Sequence, residues 1–100
     1  MRSPNKPPGG EVWNHSAGFK IRFTNHYLHT IKKGRLRRAF AVDYQKVFKA
    51  AEKWKNRVCL AVVNGYQVIF IWETKEQELT FITVLAPGHF VTRPVVRVLL

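Results

Sequence analysis

The dipeptide Asn64-Gly65 stands between two apolar runs, Val58–Val63 and Tyr66–Trp72. It is the favoured two-residue type I′ turn, so the three segments together predict a β-hairpin. A turn of this length also fixes the register, because residues whose numbers add to 129 must then lie opposite each other. The second half of the chain is therefore predicted to be β structure built around this hairpin.

Further strands are predicted on both sides of the hairpin. Gly18–Phe23 alternates between apolar and basic residues, as a half-buried strand does. After a charged turn, Leu79–Leu85 is predicted to be another strand. His89–Leu100 is predicted to be a last, edge-like strand interrupted by Pro94.

Two helices are predicted between the first strand and the hairpin. Asn25 is the N-cap of a short first helix that stops at Gly34. Asp43 is the N-cap of a second helix, whose apolar stripe recurs at helical spacing. The stripe consists of Tyr44, Val47, Phe48, Ala51 and Trp54. The fold class predicted is α+β: two N-terminal helices packed on one face of a four- to five-stranded, mainly antiparallel sheet.

The domain organisation and compartment follow from composition. Residues 1–17, rich in proline and glycine, are predicted to be a flexible N-terminal tail, and residues 18–100 a single domain. No stretch approaches about 18 consecutive apolar residues, so no membrane-spanning helix is expected. No apolar run follows the first charges, which argues against a secretory signal. The one cysteine, Cys59, lies in an apolar run and is predicted to be buried. A cytoplasmic protein without a cofactor is the expectation.

Positive charge is concentrated in one part of the chain. The sequence carries 17 Lys and Arg against 6 Asp and Glu, a formal net charge of +11. Twelve of the basic residues lie between Phe19 and Arg57, where only Asp43 and Glu52 oppose them. Such a field attracts polyanions and gives binding that weakens with added salt. The alternative is a solvated surface that keeps a small protein soluble.

The predicted partner is a nucleic acid, RNA rather than DNA. The basic residues predicted to contact it are Lys46, Lys49, Lys53, Arg57, Arg35, Arg38 and Arg97.

The hairpin register separates two faces of the sheet. One is aliphatic and suited to receive the helices; it carries Val58, Leu60, Val62, Ile69 and Ile71. The other is mixed and aromatic, and its Tyr66, Phe70 and Trp72 could stack on unpaired bases. The alternative is that this second face is a small core, covered by the N-terminal tail with Trp13.

Polar residues alternate along the predicted last strand. His89, Arg93 and Arg97 are expected to project from one face. If that face is the aromatic one, they line a groove suited to phosphodiester chemistry. An imidazole can donate or accept a proton, and guanidinium groups can hold the phosphate charge of the transition state. The alternative is a plain edge strand whose polar residues discourage aggregation.

Two histidines, His26 and His29, lie three residues apart on the first helix. This spacing could bind zinc, but no second pair of His or Cys completes a tetrahedral site, so no metal is expected. His26 is a candidate second proton-transfer group, because the helix dipole near the N-terminus favours a neutral imidazole and hence a base. The alternative is two surface histidines, or one packed against the sheet. With only 6 carboxylates, a Mg²⁺-dependent nuclease is not expected.

Short segments of the chain resemble a known group of proteins. Phe23–His29 resembles the strand-to-helix opening of some prokaryotic and phage domains in the RelE/barnase-like endoribonuclease superfamily, where a histidine starts the first helix. Gly65–Phe70 and Leu79–Leu85 are similar to the central strands of those domains. The resemblance covers roughly residues 19–98.

The resemblance implies metal-independent RNA cleavage, in which the neighbouring 2′-hydroxyl attacks the phosphate and leaves a 2′,3′-cyclic phosphate. It implies that His26 matches the helix histidine. It also implies that His89, Thr92 and Arg93 occupy late-strand catalytic positions. No glutamate in the groove can be assigned as the base.

Three hypotheses result. The first is an endoribonuclease, toxin-like or phage-encoded, with His26 and His89 as the proton-transfer pair and Arg93 stabilising the phosphate. The second is a non-catalytic nucleic-acid-binding or inhibitor module that uses the same basic surface. The third is a protein-binding factor whose basic patch docks on an acidic partner, for example by mimicking a nucleic-acid binder. Besides RNA, the predicted partners include an acidic inhibitor or antitoxin protein.

Overall fold

A computed structural model of the chain describes residues 10–14, 18–32 and 43–100. The α+β class predicted from the sequence is confirmed. The elements in chain order are β1 (Gly10–Asn14), β2 (Lys20–Thr24), α1 (Asn25–Lys32), α2 (Tyr44–Glu52), β3 (Val58–Val63), β4 (Tyr66–Glu73), β5 (Glu78–Leu85) and β6 (Val96–Arg97).

The strands of the described residues form one sheet in the order β1-β2-β5-β4-β3-β6. Three neighbouring pairs are antiparallel: β1–β2, β5–β4 and β4–β3. The pairs β2–β5 and β3–β6 are parallel. The prediction of four to five mainly antiparallel strands is therefore only partly correct, since the sheet is mixed and has six strands. Two parallel neighbouring strands cannot be joined by a tight turn, so no turn motif in the sequence predicts that they pair.

The hairpin of β3 and β4 has the predicted turn and register. Asn64 and Gly65 both have positive φ, 51° and 84°, as a type I′ turn requires. Val58 pairs with Ile71 and Val63 with Tyr66. The alternation of side chains between the two faces therefore follows the prediction for this hairpin.

Part of the segment assigned to a flexible tail is ordered. Gly10–Asn14 forms β1, which pairs with β2 from Gly10 opposite Thr24 to Asn14 opposite Lys20. Backbone hydrogen bonds to β2 stabilise this strand. Such bonds do not require an alternation of apolar and polar residues, so the sequence pattern did not predict the strand. The tail prediction is wrong for these residues; residues 1–9 and 15–17 lie outside the described part of the chain.

The predicted last strand is reduced to two residues, Val96–Arg97, which run parallel to β3. The Val98 amide donates to the Leu60 carbonyl at 2.9 Å and extends this attachment. Residues 86–95 connect β5 to β6 without forming a strand. Pro94 lies in this stretch, and proline cannot donate to a sheet ladder.

The N-cap predicted from the sequence is correct for α2 and wrong by one residue for α1. Thr24, not Asn25, caps α1, because its Oγ1 accepts a hydrogen bond from the Tyr27 amide at 3.1 Å. The predicted cap is thus wrong by one residue, and the predicted stop at Gly34 lies outside the described residues. Asp43 caps α2 as predicted, with Oδ1 accepting from the Lys46 amide at 3.2 Å.

The apolar stripe of α2 packs into the core except at its end. Val47 and Ala51 are buried, and Tyr44 and Phe48 are half-buried against the same cluster. Trp54 is 42% exposed, because the helix ends at Glu52 and the chain has turned away before Trp54. Its assignment to the buried stripe is wrong.

Both helices pack on the aromatic face of the sheet. Phe70 is 0% and Trp72 7% exposed, and the Phe48 ring of α2 lies 4.7 Å from the indole of Trp72, edge-on. On α1, the Tyr27 ring lies 5.3 Å from the Phe23 ring and 5.6 Å from Phe81. This face is the main core of the domain.

The prediction that the helices cover the aliphatic face is therefore wrong. Val62 on that face is 60% exposed, while Val58 and Ile71 are half-buried. Leu60 and Ile69 are each 1% exposed, although the helices lie on the other side. Covering the aromatic face removes more apolar area from water, since each aromatic side chain buries about 150–250 Å².

The one cysteine, Cys59, is free and buried, as predicted. Its thiol donates to the Arg57 carbonyl at 3.4 Å. Burial raises the pKa of the Cys59 thiol, and the nearby charge of Arg57 partly offsets that rise. None of the helices in the described residues is long and apolar enough to cross a membrane.

Candidate functional site

A cleft of about 450 Å³ opens on the aliphatic face of the sheet, next to β5 and its neighbour β4. Its floor contains Ile69, Ile82 and Leu85. Its polar wall carries the side chains predicted to be catalytic, which are His26, His89, Thr92 and Arg93. We call it the histidine cleft.

The structure thus brings all four of these residues to one cleft, although residues 89–93 do not form the predicted strand. The sequence left open which face of the sheet His89 and Arg93 occupy. In the structure they share the cleft with Ile69, which points to the face opposite that of Phe70. Residues 89–93 are not a strand, so the alternation expected of a strand does not apply. The catalytic role of the four residues stays a prediction.

His26 is held at the cleft by the start of α1, where it is the second residue. The Thr24 hydroxyl fixes this start to the sheet: it donates to the Ile82 carbonyl of β5 at 2.7 Å and accepts from the Tyr27 amide at 3.1 Å. One side chain therefore couples the helix bearing His26 to the strand that forms the cleft floor.

An irregularity in β5 shapes the floor of the cleft. Phe70 pairs with Phe81 and Ile69 with Thr83, so Ile82 is an extra residue opposite no partner on β4. Such a bulge bends the strand and redirects side chains. Ile82 and Thr83 consequently both line the cleft, and the buried Thr83 Oγ1 has no hydrogen-bond partner among the described residues.

His89 is held at the cleft by a turn that Gln67 anchors from beneath. The buried Gln67 side-chain amide donates to the Ala86 carbonyl at 3.0 Å and to the His89 carbonyl at 2.8 Å. The His89 amide also donates to Ala86 at 3.1 Å across the turn. The backbone that carries His89 is therefore fixed to β4, while the imidazole itself is exposed.

Thr24→Val is expected to lower the free energy of unfolding by about 1–2 kcal/mol, because it removes the N-cap and leaves the Tyr27 amide without that acceptor. Urea denaturation measures the change. Thr24→Ser, which keeps the hydroxyl, is the matched control and should retain most of the stability. Equal stability of the Val variant and the parent would show that the cap contributes nothing.

A second, larger cleft of about 900 Å³ lies between α2 and the end of the chain at β6. Lys46 and Lys49 line it from α2, Lys53 lines it from the turn that follows α2, and Arg97 lines it from β6. The exposed indole of Trp54 lies among them. We call it the basic cleft.

Four of the seven basic residues predicted to contact a nucleic acid therefore line the basic cleft. Arg97 was expected beside His89 and Arg93, but it lines the basic cleft and not the histidine cleft. Arg57 is exposed but does not line either cleft. Arg35 and Arg38 lie outside the described residues.

The predicted stacking aromatics do not form a ligand surface. Phe70 and Trp72 are buried under the helices, so the prediction that they stack on bases is wrong. Tyr66 is half-buried against the same core. The alternative of a covered core is correct for this face, on which α1 and α2 pack. The cover predicted from the N-terminal tail with Trp13 concerns side chains outside the described part of the structure.

Two exposed aromatic residues were missed in the sequence. Phe90 is 81% exposed and lines the histidine cleft. Alternation along the predicted last strand would put Phe90 and His89 on opposite faces, but residues 86–95 form no strand. Trp54 fits the helical spacing, and its neighbours Lys53 and Lys55 are good helix formers, so these residues gave no signal that the helix ends at Glu52.

Metal and family comparisons complete the description of the site. Within the described parts of the chain, no three or more His, Cys, Asp or Glu side chains gather where they could hold a metal ion. His29 is exposed and does not line the histidine cleft. Comparison with protein-family models, with curated proteins and with solved structures finds no match.

Proposed function

We propose that the protein binds RNA and cleaves it without a metal ion, by transferring the scissile phosphate to the neighbouring 2′-hydroxyl. The observation that carries the proposal is that His26, His89 and Arg93 line one cleft. They come from an early helix and a late loop, so no local feature of the chain requires them to meet. The cleft volume of about 450 Å³ suits a nucleotide, since small-ligand sites measure about 300–1,000 Å³.

Two imidazoles in one cleft support acid–base catalysis on the phosphodiester. In the proposed mechanism, His26 accepts the proton of the 2′-hydroxyl while its oxygen attacks phosphorus. His89 donates a proton to the leaving 5′-oxygen as the bond from phosphorus to that oxygen breaks. The products are a 2′,3′-cyclic phosphate and a free 5′-hydroxyl, so atoms and charges balance without a metal or a water molecule.

The remaining polar groups of the cleft favour a phosphate. Arg93 supplies a guanidinium that can hold two phosphate oxygens as their charge grows in the transition state. Thr92 adds a hydroxyl donor, and the start of α1 adds the positive end of a helix dipole. None of the described residues lining this cleft is acidic, so no carboxylate repels the phosphate.

The exposed ring of Phe90 supports an unpaired base beside the phosphate. At 81% exposure, it offers a face on which a base next to the scissile bond can stack. The apolar floor of Ile69, Ile82 and Leu85 can contact the sugar or the base. Cleavage of single-stranded RNA, with its bases unstacked, fits this arrangement.

Cleavage of a defined RNA oligonucleotide in EDTA tests the proposal. We expect products that end in 2′,3′-cyclic phosphate and begin with 5′-hydroxyl. The same oligonucleotide with one 2′-deoxy nucleotide at the cleaved position should resist cleavage there. Intact RNA at high protein concentration, bound in a salt-dependent way, would instead identify a non-catalytic nucleic-acid-binding module.

A further inference from the structure

We infer that the basic cleft binds a single-stranded segment of RNA and that Trp54 stacks on one of its unpaired bases. This inference rests on the RNA-binding part of the proposed function and not on cleavage. The basic cleft and the histidine cleft share no lining residue, so the two sites can be tested separately.

The indole of Trp54 is exposed on a fixed backbone. Its amide donates to the Ala51 carbonyl at 2.9 Å, and its carbonyl accepts from the Arg57 amide at 3.1 Å. These bonds hold the turn that follows α2, while 42% of the residue faces solvent. An exposed aromatic ring on an anchored backbone loses little conformational freedom when a base stacks on it.

The cations around Trp54 form a row. Lys46, Lys49 and Lys53 lie on one face of α2 and its following turn, and the row extends about 10 Å at 1.5 Å per helical residue. Arg97 lines the same cleft from β6. Glu52 is the one acidic side chain among the described residues that line it. A row of this length can contact more than one phosphate of an extended strand.

The combination of a ring and a row of cations favours single-stranded nucleic acid over other polyanions. In a duplex, the bases are already stacked on each other, so the indole would gain no base and only the charges would act. An acidic peptide would likewise use the lysines without a flat partner for the ring. Only an unpaired strand uses both features at once, with bases on the ring and phosphates on the cations.

Binding is measured with a 2′-O-methyl RNA oligonucleotide, which has no free 2′-hydroxyl and cannot be cleaved by the proposed reaction. Fluorescence anisotropy gives the dissociation constant for the single strand, for the same sequence as a duplex, and for a poly-glutamate peptide. For Trp54→Ala we expect about 5- to 150-fold weaker binding of the single strand, the range measured for loss of one stacking contact. Duplex binding should change by less than about threefold. Trp54→Phe keeps a ring and should restore most of the single-strand affinity.

Lys49→Ala is the comparison variant for charge. It should weaken single-strand and duplex binding alike, and reduce the slope of log affinity against log salt by about one. If Lys49→Ala weakens binding but Trp54→Ala does not, the RNA-binding proposal stands and the stacking inference is overturned. If Trp54→Ala weakens duplex or poly-glutamate binding as much as single-strand binding, the inference is also overturned. If the parent protein binds no RNA, both proposals fail.

Discussion

Replacing His89 by alanine is expected to slow RNA cleavage by about 10²- to 10⁴-fold, the usual contribution of one general acid or base. The imidazole is exposed at the histidine cleft, and the backbone beneath it is held by Gln67, which the substitution leaves in place. The free energy of unfolding should therefore change by less than about 0.5 kcal/mol. Single-turnover cleavage of the RNA oligonucleotide and urea denaturation measure the two quantities.

His29→Ala is the matched control for this experiment. His29 is also exposed and lies three residues after His26 on α1, but it does not line the histidine cleft. Cleavage by this variant should equal that of the parent within about twofold, because a surface substitution away from the site has little effect. Equal rates for the His89 and His29 variants would remove His89 from the mechanism.

Phe70→Ala is expected to lower the free energy of unfolding by about 3–5 kcal/mol. The Phe70 ring is 0% exposed and lies 6.0 Å from the ring of Phe81 in the core under the helices. Domains of this size have only about 5–15 kcal/mol of stability, so the variant should melt well below the parent or fail to fold. Thermal melting followed by circular dichroism measures the difference.

Phe90→Ala makes the same chemical change at an 81% exposed position and is the control. It should leave the melting temperature nearly unchanged, because little buried area is lost. In the RNA assays Phe90→Ala should still lower binding or cleavage although the protein is folded, since Phe90 lines the histidine cleft. A Phe70 variant as stable as the parent would contradict the burial of the aromatic face.

Local features of the fold could be predicted because short-range chemistry determines them. Asn64 and Gly65 adopt the positive φ values of the tight turn, and that turn sets the pairing of β3 with β4. Asp43 caps α2 because its carboxylate reaches an amide three residues on. Each of these features depends on residues that lie only a few positions apart in the sequence.

The choice of strand partners and covered faces could not be predicted in this way. Phe23 of β2 pairs with Phe81 of β5, and nothing near either residue specifies the other. Alternation gave the two faces of the hairpin correctly, but it could not decide which face the helices cover. That choice depends on the total apolar area buried by the whole domain.

Strand alternation grouped His89 with Arg93 and Arg97, and His26 was added as a second proton-transfer group. His26, His89 and Arg93 do line one cleft, although residues 89–93 form no strand. Arg97 was grouped with them by strand alternation, and it lies in the other cleft because the strand begins only at Val96. Strand alternation could not separate these two clefts, because the segment is a strand only at Val96–Arg97.

Residues 86–95, which connect β5 to β6, make the local stability of the histidine cleft different from the stability of the whole domain. His89, Thr92 and Arg93 all lie on this segment, which is held by Gln67 at one end and by the two-residue strand β6 at the other. Detaching it together with β6 breaks few backbone hydrogen bonds and removes from the helix-covered core the partly buried Val96 and Val98, while the residues under the helices stay packed. Such sub-global opening costs less free energy than unfolding the domain. On heating, the cleft should therefore come apart while the β2-β5-β4-β3 sheet persists.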